Sequence, residues 1–269
     1  MPRFDPLPDR RPAFVAGASS GIGAATATEL ARRGFPVALG ARRVEKCQEL
    51  VDTIRADGGE AVAVPLDVTD PDSVTEAVKA ATAALGDIEV LVAGAGDTSF
   101  GKLAEVSTDD FESQLQIHLI GANRLMRAVV GGMVERRRGD LIFVGSDVAL
   151  RQRPHMGAYG AAKAALVAMV TNLQMEFEGT GVRASLVHPG PTMTSMGWNQ
   201  PMELVGAALE DWAKWGQARH SYFLRPEDLA RAITFVAETP RGGFIANMEL
   251  QPEAPLAEAT DRQKLKVED

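Results

Sequence analysis

The sequence predicts an α/β protein: a Rossmann-like, doubly wound parallel sheet of about seven strands, helices on both faces, and a small helical insert at 195–222. Three observations predict it. Short apolar runs alternate with Ala-rich stretches of helical period from Ala13 to Leu250. The first run passes through a glycine turn into a helix, and no low-complexity linker interrupts the alternation. One domain over 12–255 is therefore expected, with loose tails at 1–11 and 256–269.

Taken in order, Ala13 to Ala16 is the first apolar run, and it ends on Gly17-Ala18-Ser19-Ser20-Gly21-Ile22-Gly23 before an Ala-rich helical pattern. Strand, glycine turn and helix form the opening of a dinucleotide site. Glycines let the backbone bend and approach phosphates, and the free N–H groups and dipole of the helix start hold their charge. The second strand, Pro36 to Gly40, leads into Ala41-Arg42-Arg43. An acid about twenty positions after the turn would bond a ribose 2′-OH, whereas Arg pairs with a 2′-phosphate. The acid is missing, so Arg42 and Arg43 favour NADP(H), with NAD(H) possible; both could instead be solvated charges opening the helix Val44 to Ala56.

The third strand, Ala61 to Val64, runs into Leu66-Asp67-Val68-Thr69. Asp67 could accept from an adenine amino group, or cap the helix that begins near Pro71. A helix to Leu85 follows, then the strand Ile88 to Val92 and Ala93-Gly94-Ala95-Gly96, whose small residues let a ligand come close. Apolar positions from Asp109 to Glu135 predict one long helix carrying His118 on its inward side. Leu141 to Ser146 is the fifth strand, and Val182 to Val187 the next, ending in His188-Pro189-Gly190-Pro191. Ligands of such sheets bind at the carboxyl ends of the strands, where these turns fall.

Between the last two strands stands Tyr159-Gly160-Ala161-Ala162-Lys163. On a helix, residues four apart share a face, so a phenol and an ammonium meet. A neighbouring cation favours the phenolate and prepares a Tyr of reference pKa near 10 to give or take a proton near neutrality. Ser146, at the end of its strand, could reach the same substrate oxygen.

From Ser195 to Tyr222 the alternation breaks, and this segment holds all three tryptophans, Trp198, Trp212 and Trp215, together with Met196. Flat apolar groups after the last ligand-side turn suggest a lid over an apolar substrate; an amphipathic helix pair with Trp as core is the other possibility. The pattern returns with a helix from Pro226 to Glu238 and a strand from Phe244 to Leu250.

Composition narrows the function classes. A net charge of −8 without a basic stripe argues against nucleic acid, and Arg136-Arg137-Arg138 reads as solvated charge at a helix end. No segment approaches the length of a membrane span, and the Pro-rich, charged start does not read as a secretory signal. Cys47 is the single cysteine, expected as helix filler in a reducing, cytoplasmic setting; no metal site is expected.

These residues together resemble the short-chain dehydrogenase/reductase family, in its single-domain branch, from Pro12 to about Pro255. Gly17, Gly21 and Gly23 match its glycine turn, Tyr159 and Lys163 its Tyr-x-x-x-Lys pair, and Ser146 has the expected offset. Pro189-Gly190 with Thr192 and Thr194 is similar to the segment that holds the nicotinamide carboxamide. The resemblance implies hydride transfer between a nicotinamide and an apolar alcohol or ketone, Tyr159 being the acid/base, Lys163 its modulator and ribose ligand, and Ser146 the holder of the substrate oxygen. It also implies a homo-oligomer, dimer or tetramer. Two positions depart: Ala93-Gly94 replaces Asn-Asn, and His118 stands where the family has a catalytic Asn, so an altered proton relay is expected, in which His118 either titrates itself or is a buried ring satisfied by hydrogen bonds. The departures keep open a nucleotide-binding regulator without chemistry, and the fold a lyase or epimerase that holds its cofactor.

Overall fold

In the computed structural model, which describes residues 4–196, 200–218 and 220–256, seven strands form one parallel sheet. They are β1 (Ala13–Ala16), β2 (Val37–Ala41), β3 (Ala61–Pro65), β4 (Val90–Ala93), β5 (Gly139–Val144), β6 (Val182–Pro189) and β7 (Asn247–Leu250). Their order is β3-β2-β1-β4-β5-β6-β7, so the winding reverses between β1 and β4. That reversal opens a crevice beyond the carboxyl ends of the central strands.

Period-two alternation assigns each strand's side chains to two apolar layers. From β1, Phe14 and Ala16 face one layer, while Ala13 and Val15 face the other. The first layer is closed by α3 (Pro71–Leu85), α5 (Gly121–Glu135) and α6 (Gly157–Glu176), the second by α1 (Gly21–Arg32), α2 (Val44–Ala56) and α8 (Pro226–Glu238). Cys47 lies buried in the second layer, where burial pushes its thiol up.

Helix starts follow the capping rules. The Asp70 side chain accepts from Asp72 N at 3.0 Å with Pro71 in the first turn, so Asp70, and not Asp67, caps α3. At α8, Pro226 opens the helix and Asp228 accepts from Arg225 N at 2.8 Å.

Four expectations change. The long helix over 109–135 is α4 (Thr108–Leu115), a π-helical turn at Gln116–Ile120 with His118 in its middle, and α5. The 195–222 segment holds one helix, α7 (Met202–Lys214), and no pair among the described residues. The basic run is solvated only in part: Arg136 is half-buried and pairs with buried Glu89, and Arg138, which stays exposed, also pairs with it through Nε at 3.0 Å. The tail is tied at its end, since Arg11 is buried against Asp140 and Arg10 donates to Leu85 O. Among the described residues no helix is long and apolar enough to cross a membrane.

Candidate active site

A cleft of about 610 Å³ opens at the crevice between β1 and β4, and every described site residue predicted from the sequence except Trp215 lines it. Trp215 closes α7 with 63% of its surface in solvent, away from the cleft, because the helix turns it outward. Trp198 lies outside the described residues.

At one end the glycine turn is held to β2 by Gly17 N donating to Gly40 O at 2.8 Å. Gly17 has φ +84°, and a Cβ there would stand 2.8 Å from Gly94 O; a Cβ at Gly23 would meet Gly17 O at 2.3 Å. Gly17 and Gly23 thus stay bare because backbones pass at contact distance. Ile22 and the N-terminus of α1 line the floor, and Ser20 makes no side-chain cap, so the first N–H groups of α1 remain free for an anion. Arg43 Nη2 donates to Ser19 Oγ at 3.0 Å and to Ser20 Oγ at 2.9 Å, placing a guanidinium over the turn. Arg42 stands nearer Asp67, whose carboxyl is held below its usual range chiefly by the Thr69 hydroxyl at 2.7 Å, with Arg42 contributing least. Val68 lines the wall beside it. This cradle fits a dinucleotide: free helix N–H groups, a turn too tight for any Cβ, and a basic rim.

In the middle, α6 carries Tyr159 and Lys163 on one face, the ammonium 5.7 Å from the ring centroid. Lys163 Nζ donates to Val144 O, at the end of β5, at 2.7 Å. The expected order of acidities does not hold in this cleft. Burial pushes the Tyr159 phenol up to about 12 despite the Ser146 hydrogen bond, which pulls the other way. Burial also pushes Lys163 down to about 7, which weakens its cationic pull on the phenol. Ser146 caps a 3₁₀ turn, accepting from Val148 N at 3.2 Å, while His188 Nδ1 donates to the Ser146 carbonyl at 3.1 Å.

His118 is 2% exposed and sits edge-on to Tyr159, centroids 5.0 Å apart. Its Nε2–H donates to Asp97 O at 2.6 Å. Desolvation first, then the Lys163 charge, holds its pKa well below the usual value, so the ring is neutral and Nδ1 is an acceptor without a partner among the described residues. Gly96 makes room for it, since a Cβ there would lie 2.7 Å from His118 Cε1.

On the far side, Pro189, Gly190, Thr192 and Thr194 come back over the glycine turn, and Thr194 Cγ2 lies where it would be 3.2 Å from a Cβ on Gly21. Met196 and Trp212 reach the cleft beyond them. The sequence missed the rest of this wall: Phe100, Asp147, Val148, Arg153 and Met156. They belong to connections without a motif, and only the proximity of Arg153 and Met156 to Tyr159 in the chain hinted at them.

A parallel, doubly wound sheet whose cleft joins a glycine turn to a Ser, Tyr and Lys set defines a nucleotide-dependent oxidoreductase fold. The chain matches the short chain dehydrogenase family model over residues 11–204 and belongs to that family, that of NAD(P)-dependent oxidoreductases. It is 31% identical over 236 residues, 86% of this chain and 90% of the relative, to 2,3-dihydro-2,3-dihydroxybenzoate dehydrogenase of Bacillus subtilis. It is 36% identical over 242 residues to glycine betaine reductase ATRR of Emericella nidulans, covering 89% of this chain and only 18% of that longer protein. Among solved structures, an alcohol dehydrogenase from the archaeon Thermococcus sibiricus, complexed with 5-hydroxy-NADP, is similar at TM-score 0.78 and 28% identity, covering 91% of this chain and all of that one.

Proposed function

We propose that this protein moves hydride between a nicotinamide dinucleotide, NADP(H) in preference to NAD(H), and the carbinol or carbonyl carbon of an apolar small molecule. The observation that carries this is the opening of Tyr159, Lys163 and Ser146 onto the same cleft as the glycine turn. Arg43 over Ser19 and Ser20, with Arg42 on the rim, supports a 2′-phosphate. The cofactor, when bound, supplies or takes up the hydride.

The chain's own residues handle the oxygen and its proton. Ser146 and Tyr159 donate to the substrate oxygen and fix its carbon. In reduction Tyr159 gives its phenolic proton to that oxygen as negative charge builds there, so no free alkoxide forms. A phenol held near 12 stays protonated across neutral pH and is ready as the acid. Lys163, held near 7, can pick up and release a proton at neutral pH and so re-protonate Tyr159. His118 joins the relay as a neutral acceptor through the free Nδ1 lone pair. Tyr159→Phe is expected to bind NADPH almost unchanged and to lose about 10²–10⁴-fold in turnover of apolar ketones, the usual worth of a positioned acid. Turnover that survives the change refutes the assignment.

We further propose that 12–255 works as one domain in the cytoplasm, as a homo-oligomer. Support for the last comes from apolar side chains left in solvent on α5 and α6, Val134 and Met175, and from the small residues Gly131 and Gly132 on α5 and Ala161 and Ala164 on α6, which permit close approach. Sedimentation at micromolar concentration should show a dimer or tetramer; a monomer would refute it.

A further inference from the structure

Three arginine side chains are 10% exposed or less, and they differ in how their donors are used. The Arg183 guanidinium makes five hydrogen bonds, to both Asp140 oxygens and to Thr239 O, Pro240 O and Gly243 O. Arg11 donates to Ala237 O and to Asp140 and, away from the cleft, also keeps a buried Nε without a partner among the described residues. Arg153, with side-chain exposure of 10%, lines the substrate end of the cleft and meets one protein acceptor among the described residues, Asp147. Its Nε is shut away without a partner. A guanidinium carries five N–H donors, so Arg153 keeps donors on the cleft wall that no described residue uses.

Its surroundings say what could use those donors. The guanidinium carbon lies 5.4 Å from the Trp212 ring, and Trp212 is 5.8 Å from Phe100. Both rings pack on the small cluster of Val148, Met156 and Tyr159. Flat apolar groups thus flank the phenol and the guanidinium on one wall of the cleft. The guanidinium charge is already balanced, because Asp147 is 2% exposed and pairs with Arg153 while Gln251 Nε2 also donates to it at 3.1 Å. A carboxylate on the substrate would bring a second negative charge to one cation in a desolvated site, which costs more than an uncharged oxygen does.

We propose that Arg153 is a specificity-determining residue that donates to a second, uncharged carbonyl oxygen of the substrate, so that the preferred ketones are flat apolar molecules carrying two carbonyl groups. This rests on the assignment of the cleft to carbonyl chemistry, but its test needs no turnover. Wild-type protein saturated with NADP⁺, which cannot reduce a ketone, is titrated by calorimetry with 1-phenyl-1,2-propanedione and with propiophenone, which replaces the second carbonyl by a methylene. The dione is expected to bind at least about tenfold more tightly, as one good hydrogen bond to a charged donor allows. In Arg153→Met that ratio should fall towards one. Because the single change leaves Asp147 buried without its cation, the double variant Asp147→Asn, Arg153→Met, which removes both charges, should show the same collapse. Equal affinities in the wild type, failure of the dione to bind, or a preference that survives both variants overturns the proposal. A preference that disappears with Arg153 in a protein that turns over no ketone would instead overturn the assignment of hydride chemistry and leave this one standing.

Discussion

The two ends of the cleft are built by different means. At the cofactor end the surface is mostly backbone: Gly17 and Gly23 bring main chains together at distances that leave no room for a Cβ, Gly94 leaves little, and free N–H groups of α1 face the cavity. At the substrate end the surface is side chain, with Phe100 arriving from one connection, Arg153 and Met156 from another, and Trp212 from α7. Backbone recognition constrains residue type tightly and so leaves a motif. Side-chain recognition constrains only the sum of several groups and leaves none.

That contrast can be broken most sharply at Gly17. Gly17→Ala puts a Cβ at φ +84°, about 1–2 kcal/mol of backbone strain before the contact with Gly94 O is counted. A loss of NADPH affinity beyond about tenfold by fluorescence titration is expected. Affinity that is kept would show that the turn yields, and that backbone closeness does not define this end.

Arg43 is the side-chain exception at the cofactor end. If it holds a 2′-phosphate, Arg43→Ala should remove about 1.5–3 kcal/mol from NADPH binding and far less from NADH binding. Equal losses for both would make the contact with Ser19 and Ser20 merely structural.

The middle of the cleft predicts a pH signature. Burial holds Lys163 at about 7 in the fold, below its unfolded value of 10.5, so between those values the unfolded chain binds more protons. Its contribution to stability should therefore rise with pH from about 7 towards 10.5. Denaturant titrations of wild type and Lys163→Met across that range should diverge with that sign; parallel curves would mean that the ammonium stays charged when buried. The smallest effect belongs to Trp215, which the sequence grouped with the lid. Trp215→Ala should shift stability by no more than about 0.5 kcal/mol, the usual limit for a solvent-facing side chain, and a larger loss would place it in a packed contact.

Much of this was legible in the chain itself. Alternation of apolar runs and helical periods yields the sheet, since strands buried on both faces read as unbroken runs such as Phe14 to Ala16 or Ile142 to Val144. Tyr159 and Lys163 fall on one face because four residues make one helical turn. What stayed hidden depends on burial and on distant partners. No local pattern shows that Arg138 would reach Glu89, or that the helix would widen into a π turn around His118. Nor does spacing show that burial would outweigh the Lys163 charge at Tyr159, because desolvation is a property of the packed whole.

The central claim is that the two ends meet in hydride transfer. The most direct measurement follows the hydride: NADPH carrying deuterium at the transferable position of nicotinamide C4 is incubated with the protein and apolar ketones, and the products are examined by mass spectrometry. Deuterium on the carbinol carbon, one per NADPH consumed and absent with Tyr159→Phe, is the predicted result. Product formed without deuterium and without net consumption of NADPH, as a lyase or epimerase would give, or NADPH bound but never consumed, as a regulator would give, contradicts it.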